Sequence, residues 1–136
     1  MVSVILFNLV KWVLIAAFLA SVGIFFPFLI SAILKTAQGS STVAITTTAG
    51  IMGMFSDSAS MMTALGLNSE MAALLTVMAI GAGAMTVSHA NDSYFWVVTN
   101  FTGMDPQDGY RTQTMMTLIV GIVSMIAIFL ASLVLL

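Results

Sequence analysis

The segment from Gln38 to Met54 reads QGSSTVAITTTAGIMGM, and it decides the fold class of this chain. It contains six serine or threonine hydroxyls and three glycines but no charged residue. It is therefore too polar for a helix that faces lipid and too apolar for an ordinary aqueous loop. Polar, glycine-containing backbone is tolerated at membrane depth only where protein or a water-filled cavity surrounds it. The segment predicts structured polar chain inside a membrane protein.

The composition of the whole chain also indicates lipid as its solvent. Of 136 residues, 60% are hydrophobic and 6% are charged, whereas a soluble domain carries about 25% charged residues. Three basic residues and a formal net charge of -2 provide no surface for a nucleic acid. The absence of cysteine excludes disulfides, thiolate metal sites and cysteine nucleophiles. We therefore expect lipid, and no nucleic acid, as a partner.

Upstream of the polar segment, an apolar block runs from about Val2 to Leu34. It is too long for one simple span, because about 20 residues cross the hydrocarbon core. One interpretation is a single span, Trp12–Leu34, kinked at Pro27. The other is a first helix over about residues 1–22, followed by a shorter arm from Pro27 to Thr36. We favour the second, with residues 27–54 forming a re-entrant hairpin whose tip lies at Gln38–Thr42.

Downstream, a second apolar block is interrupted by GAGAMTVSHANDS at residues 81–93 and resumes at Tyr94–Val98. A glycine-rich polar break inside a hydrophobic segment predicts a discontinuous transmembrane helix over about residues 69–100. Asp105 and Pro106 are typical of a helix start, and they predict a final transmembrane helix over residues 106–135. The predicted fold is therefore a single all-α membrane domain over residues 1–136.

The hairpin tip is the first candidate site. Backbone amides at the start of a helix lack intrahelical partners and carry partial positive charge, so they bind carboxylate or phosphate groups. We predict that the tip binds a substrate anion through Gln38, Gly39, Ser40, Ser41 and Thr42. The alternative is that the hydroxyls bond to their own helix, and for Thr46, Thr47 and Thr48 we favour that alternative.

The second candidate site is Ser88–Asp92, which contains His89 and Asp92. Ionisable residues at membrane depth are costly and usually face a cavity in which they function. We predict a proton-coupling role for His89 and Asp92, and substrate contacts from Ser88 and Asn91. The alternative is a structural pair that ties two half-helices together. Lys35 could either snorkel to the membrane interface or help to attract an anion, and we favour snorkelling.

The same residues indicate chemistry of transport and not of catalysis. No nucleophile motif, phosphate-binding loop or zinc motif is present in the sequence. We therefore predict no catalytic residues, no metal and no cofactor, with a proton as the coupling ion. A competing hypothesis from a different class is a small accessory or regulatory membrane protein that transports nothing.

Two motifs resemble those of the gluconate permease family. AQGSSTVAITTTAGIM, at Ala37–Met52, is similar to the AQGSATVA-type segment of that family, and SHANDSYFW, at Ser88–Trp96, resembles its SH-x-NDS-x-FW segment. The threonine-rich start of the last helix, Arg111–Thr114, is also similar. Lys35 stands where the family usually has arginine, and Ala90 where it often has valine.

The resemblance implies a transporter built from two inverted repeats, each with a re-entrant hairpin and a broken helix near the bilayer midplane. This chain would correspond to one half of it, the C-terminal repeat of a longer permease. Members of the family take up gluconate and related sugar acids, and some take up D-serine, usually by proton symport. The implied location is the bacterial inner membrane, with several spans. The implied partners are a small organic anion and either the missing N-terminal repeat or a second copy.

Overall fold

The computed structural model describes residues 2–53 and 60–136, with only the backbone described at residues 2–5 and 16–21. Every regular element in these ranges is helical, so the predicted all-α class is confirmed there. The last residue of the predicted hairpin, Met54, lies outside the described residues. The helices are α1 (Val2–Gly23), α2 (Phe25–Gln38), α3 (Ser41–Gly53), α4 (Met61–Ala64), α5 (Glu70–Met85), α6 (Ser93–Thr102), α7 (Pro106–Gly109) and α8 (Met115–Leu135), with a π-helical turn at Tyr110–Thr114.

The first apolar block is divided into two helices and does not form one kinked span. Helix α1 ends at Gly23, and α2 begins at Phe25 after the single residue Ile24. Pro27 is buried in the first turn of α2, where a missing backbone N–H costs no intrahelical hydrogen bond. The break therefore falls just before the proline, and α2 starts two residues earlier than the arm we predicted.

Helices α2 and α3 form a helical hairpin with a two-residue turn. Gly39 ends α2 in the left-handed conformation, with φ of 69°, and its N–H donates to Lys35 O at 2.8 Å. Ser40 follows, and its Oγ accepts a hydrogen bond from Val43 N at 3.3 Å in the first turn of α3. Ile24, just before α2, and Met52, near the end of α3, belong to one buried cluster, so the two helices lie side by side.

Helix α5 packs closely along α2. Ser31 Oγ donates to Ile80 O at 2.8 Å, and a Cβ atom at Gly83 would collide with the carbonyl oxygen of Phe28. The glycines that we assigned to the helix break therefore lie inside α5, where at least Gly83 permits close helix contact. That part of the prediction is wrong, and the helix runs one turn further than expected.

The interruption after α5 covers residues 86–92. Thr86 caps the end of α5 in an extended conformation, and Val87 has a positive φ of 54°. Left-handed backbone is unusual for a β-branched residue and is held only by surrounding contacts. Helix α6 then begins at Ser93, where Asp92 Oδ1 accepts from Tyr94 N at 3.1 Å as an N-cap.

The last helical segment is continuous from Pro106 to Leu135 and includes the π-helical turn. At 30 residues, it is the one helix among the described residues that is long and apolar enough to cross a membrane. Its start agrees with the predicted signals, because Asp105 Oδ1 accepts from Gln107 N at 3.1 Å and Pro106 is the first helical residue.

Large apolar side chains remain exposed along the long helices of the described chain. Phe7 is 70% exposed, Phe101 89% and Val134 84%. The buried cluster is comparatively small and centres on residues such as Leu75, Ile80 and Met125. Apolar surface of this extent is covered by lipid or by other protein, because in water it would drive association.

We expect Gly39→Ala to destabilise the hairpin turn. A Cβ atom there would require left-handed backbone of alanine and would collide with the carbonyl oxygen of Asn91, at a cost of roughly 1–3 kcal/mol for the backbone conformation alone. Thermal unfolding of the purified protein in detergent measures the effect.

Gly50→Ala is the matched control for this substitution. Gly50 lies inside α3, and an added Cβ meets nothing within 4 Å. This variant should be stabilised by about 0.5–1 kcal/mol, because alanine is the better helix former. Equal melting temperatures for the two variants would contradict the requirement for glycine at position 39.

Candidate functional site

Four helix termini meet at one end of the packed helices. The C-terminal end of α2 and the N-terminal end of α3 form the hairpin tip, and the corresponding ends of α5 and α6 flank the break. The tip touches the break directly, because the Gly39 Cα lies against the Asn91 carbonyl. The two regions predicted from separate motifs are therefore brought together by the fold.

A buried ion pair links the two regions. Lys35 Nζ, in the last turn of α2, donates to Asp92 Oδ2, and the side chains are 2% and 5% exposed. The same carboxylate oxygen accepts a hydrogen bond from Ser88 Oγ at 2.6 Å. Asp92 therefore neutralises Lys35, accepts from Ser88 and caps α6 at once.

The prediction that Lys35 snorkels to the interface is wrong. Lys35 lies on the buried stripe of α2 with Pro27 and Ser31, at four-residue spacing. Residues at this spacing share one helix face, so the lysine side chain points toward α5 and the break. The carboxylate of Asp92 provides the partner that a buried ammonium group requires.

His89 and Asn91 both contact the end of α2. Asn91 Nδ2 donates to Thr36 O at 2.7 Å, and His89 Nε2 lies 3.2 Å from the same oxygen. Carbonyls in the last turn of a helix lack intrahelical partners, so these side chains complete the hydrogen bonding of α2. These contacts join the break to α2 and not the two half-helices to each other, so they differ from the structural pair that we stated as an alternative. Asn91 also remains exposed beside the tip.

The tip residues form a polar surface with graded exposure. Gly39 is buried, Ser40 and Ser41 are half-buried, and Gln38 and Thr42 are exposed. Further along α3, Thr46 Oγ1 donates to Thr42 O at 2.9 Å, which is the bond to its own helix that we favoured. The side chain of Thr48 is buried, and its Oγ1 has no hydrogen-bond partner within the described structure. The bond to its own helix that we favoured for Thr48 is therefore wrong.

Two threonines of the last helical segment hold the break from the other side, and the sequence analysis did not identify them. Ser88 N donates to Thr117 Oγ1 at 3.0 Å, and Thr114 Oγ1 donates to Ser88 O at 2.6 Å. Thr114 ends the π-helical turn, a feature that is frequent at functional sites. The feature of the sequence that could have indicated this role is the three-residue spacing of Thr114 and Thr117 at the start of an apolar helix.

An apolar cavity lies away from the tip and the break. It is a groove of about 620 Å³ between α5 and α8, lined by side chains such as Leu74, Met78, Ala127 and Ile128. Ser124 is the polar residue that lines it, and no charged residue does. Such a groove suits an acyl chain or a helix face and offers nothing to balance an anion. Within the described ranges, no group of three histidine or carboxylate side chains could hold a metal ion.

Comparison with known proteins identifies the family. The profile described as GntP family permease matches residues 10–134. The gluconate permease of Pseudomonas aeruginosa is 38% identical over 112 residues, covering 82% of this chain and 23% of the relative. The inner membrane permease YgbN of Escherichia coli is 40% identical over 94 residues, covering 69% and 19%. The low-affinity gluconate transporter of Escherichia coli is 37% identical over 109 residues, covering 77% and 23%.

This chain spans about a fifth of the length of these relatives. No solved structure matches it. The family profile nevertheless covers both candidate regions and the last helix. From this match and the identities to named permeases, the chain is an integral membrane protein that belongs to the GntP family of permeases.

Proposed function

We propose that this chain forms the part of a multi-pass bacterial inner-membrane permease that binds a small organic anion and couples its uptake to a proton. The observation that carries the proposal is the meeting of the hairpin tip with the helix break at the buried Lys35–Asp92 pair. Gluconate or a related sugar acid is the proposed substrate class, since relatives are named gluconate permease and low-affinity gluconate transporter.

The proposed carboxylate site is the N-terminal end of α3. This helix has 13 residues, and its first amides combine with the hydroxyls of Ser41 and Thr42 to offer donors to an anion. The exposed side chains of Gln38 and Asn91 lie on the same polar surface and can bond to substrate hydroxyls. An uncharged set of donors suits a ligand that must bind and then leave.

The lengths of α2 and α3 support a re-entrant hairpin. We propose that this hairpin belongs to one half of an inverted-repeat transporter. Helix α2 has 14 residues and α3 has 13, so each is roughly 20 Å long at 1.5 Å per residue. The hydrocarbon core is about 30 Å thick, which neither arm would cross. The tip would then lie within the membrane, where the second repeat of the whole permease completes the site.

Proton coupling is assigned to Asp92, with His89 as a neighbouring group that tunes it. Asp92 is the carboxylate buried at the break, and it contacts both the tip helix and α6. A buried ionisable group between two half-helices is the usual position for a proton relay in a transporter. His89 contacts Thr36 O, so a change of its charge would act on the end of α2.

The first test is uptake by the product of the longest reading frame that contains this sequence. In cells that lack gluconate transport, it should accumulate labelled gluconate, and a protonophore should abolish the accumulation. Other aldonates and D-serine are tested as competitors. Failure to transport any member of this panel, combined with a stable complex with an unrelated membrane protein, would instead favour an accessory role.

Thr42→Val should raise the KM for the anion several-fold with little change in folding. The substitution removes an exposed hydroxyl at the tip while preserving the shape of the side chain. Thr46→Val is the matched control, because the hydroxyl of Thr46 bonds within α3 one turn later. Equal KM values in the two variants would argue against substrate contact at the tip.

Asp92→Asn should abolish gluconate accumulation driven by a proton gradient, because an amide cannot take up the coupling proton. Asp105→Asn is the matched control, since Asp105 is an exposed N-cap and asparagine caps helices equally well. Uptake into vesicles with an imposed pH gradient measures both variants. Undiminished driven uptake by Asp92→Asn would exclude the coupling role.

A further inference from the structure

We propose that the substrate carboxylate replaces Asp92 as the partner of Lys35, and that Asp92 is thereby released to carry the transported proton. The inference rests on the proposed function and adds Lys35 as the charge that binds substrate. In this scheme, Asp92 occupies in the ion pair the position that the substrate carboxylate takes when it binds.

Lys35 is the one basic side chain that is buried in the described part of the chain. Lys11 and Arg111 are exposed, whereas Lys35 is 2% exposed. A buried ammonium group requires a negative partner, since its desolvation is otherwise uncompensated. Asp92 provides that charge in the structure, and only another anion could provide it once Asp92 is neutral.

The position of Lys35 fits a ligand held at the tip. Lys35 occupies the last turn of α2, and its carbonyl oxygen accepts from Gly39 N. Its ammonium group reaches Asp92 at the break, and the tip that begins α3, toward which a carboxylate is drawn, contacts the same break at Asn91. Because Lys35 is 2% exposed, a substrate carboxylate can reach it only if the tip moves away from the break.

If the net charge of the buried site must stay at zero, the number of protons taken up per bound carboxylate is fixed. The pair Lys35–Asp92 has no net charge, and neither does Lys35 with a bound carboxylate and a protonated Asp92. Binding of the anion alone would leave one uncompensated negative charge, and protonation alone would leave one positive charge. Both unbalanced states are costly in a medium of low dielectric constant. The favourable exchange therefore takes up one proton for each carboxylate.

The surroundings of Asp92 tolerate its protonation. In the structure, Ser88 Oγ donates to the carboxylate, and Tyr94 N donates to its other oxygen. A hydroxyl can also accept a hydrogen bond, so protonated Asp92 can donate to Ser88 and still cap α6. The proton comes from the aqueous side and forms an O–H bond with a carboxylate oxygen of Asp92. The ion pair of Asp92 with Lys35 is lost, the substrate carboxylate replaces it, and no covalent bond of the protein is broken.

The titratable groups nearest to this pair are few. His89 lies in the break, Tyr94 begins α6, and Tyr110 and Arg111 lie on the π-helical turn that packs near α6. Among the described residues, Lys35 and Asp92 form the one ion pair within 4.0 Å. Within the part of the chain that the structure describes, the charges at the site are therefore those of Lys35, Asp92 and the proposed ligand.

The test measures proton uptake and gluconate binding together, using the purified product of the longest reading frame that contains this sequence. In weakly buffered detergent solution with a pH indicator dye, the parent protein should take up about one proton per gluconate bound. Asp92→Asn should bind gluconate without taking up a proton, and Lys35→Arg should retain both. Lys35→Met should weaken binding about 100-fold, the effect expected when a buried charge contact is lost.

A double variant separates loss of binding from loss of folding. Lys35→Met combined with Asp92→Asn leaves no unpaired buried charge, so it should unfold at a higher temperature than Lys35→Met alone. It should nevertheless fail to bind gluconate. Parent-like gluconate affinity in this folded double variant, or proton uptake that persists in Asp92→Asn, would overturn the inference.

The outcomes also separate this inference from the proposed function. If the parent protein binds gluconate without proton uptake, the exchange at Lys35 is wrong, while anion transport stands. If the parent protein neither binds nor transports any sugar acid or D-serine, the proposed function is wrong, and the exchange fails with it.

Discussion

The rest of the structure depends on the buried ion pair between Lys35 and Asp92. A chain with so few charges places two of them out of contact with solvent, and each is stable there in its charged form only while it faces an opposite charge. The pair fixes the end of α2 against the start of α6. Because Asp92 also caps α6, the position of that helix depends on the same carboxylate.

The other contacts of the break also fix it against the neighbouring helices. His89 and Asn91 bind a carbonyl of α2, and the threonines at positions 114 and 117 bind the backbone of Ser88. Residues 86–92 form no helix, and their local backbone bonds lie at the two ends, from Thr86 N to Gly83 O and from Asp92 N to His89 O. The neighbours on both sides therefore supply further partners, which buried backbone requires. The strained backbone of Val87 is held by this network. A movement of the hairpin would therefore be transmitted to the break.

The features that the sequence predicted are those with local causes. Asp105 and Pro106 start a helix through their own geometry, and the SHANDS segment ends one because its polar residues bond elsewhere. The pairing of Lys35 with Asp92 could not be predicted in this way, because 57 residues separate them. The sequence alone favoured a Lys35 side chain that reaches the interface, and only the packing of α2 against α5 shows that its face of α2 is buried. The assignment of Gly83 to the helix break was wrong for the same reason, because the sequence alone does not distinguish a glycine at a helix–helix contact from a glycine at a helix break.

In the proposed mechanism, the absence of charge around the tip matters as much as the buried pair. Residues 36–53 contain no charged side chain, so within this chain the tip attracts an anion through amides and hydroxyls, and the nearby buried charge is that of Lys35 at the break. A second fixed cation there would hold the carboxylate without releasing Asp92, and anion binding would no longer require a proton. Neutral donors orient the ligand and leave the charge balance to Lys35 and Asp92. The serine- and threonine-rich sequence that first indicated a site inside the membrane is thus also what makes a one-to-one exchange of charges possible.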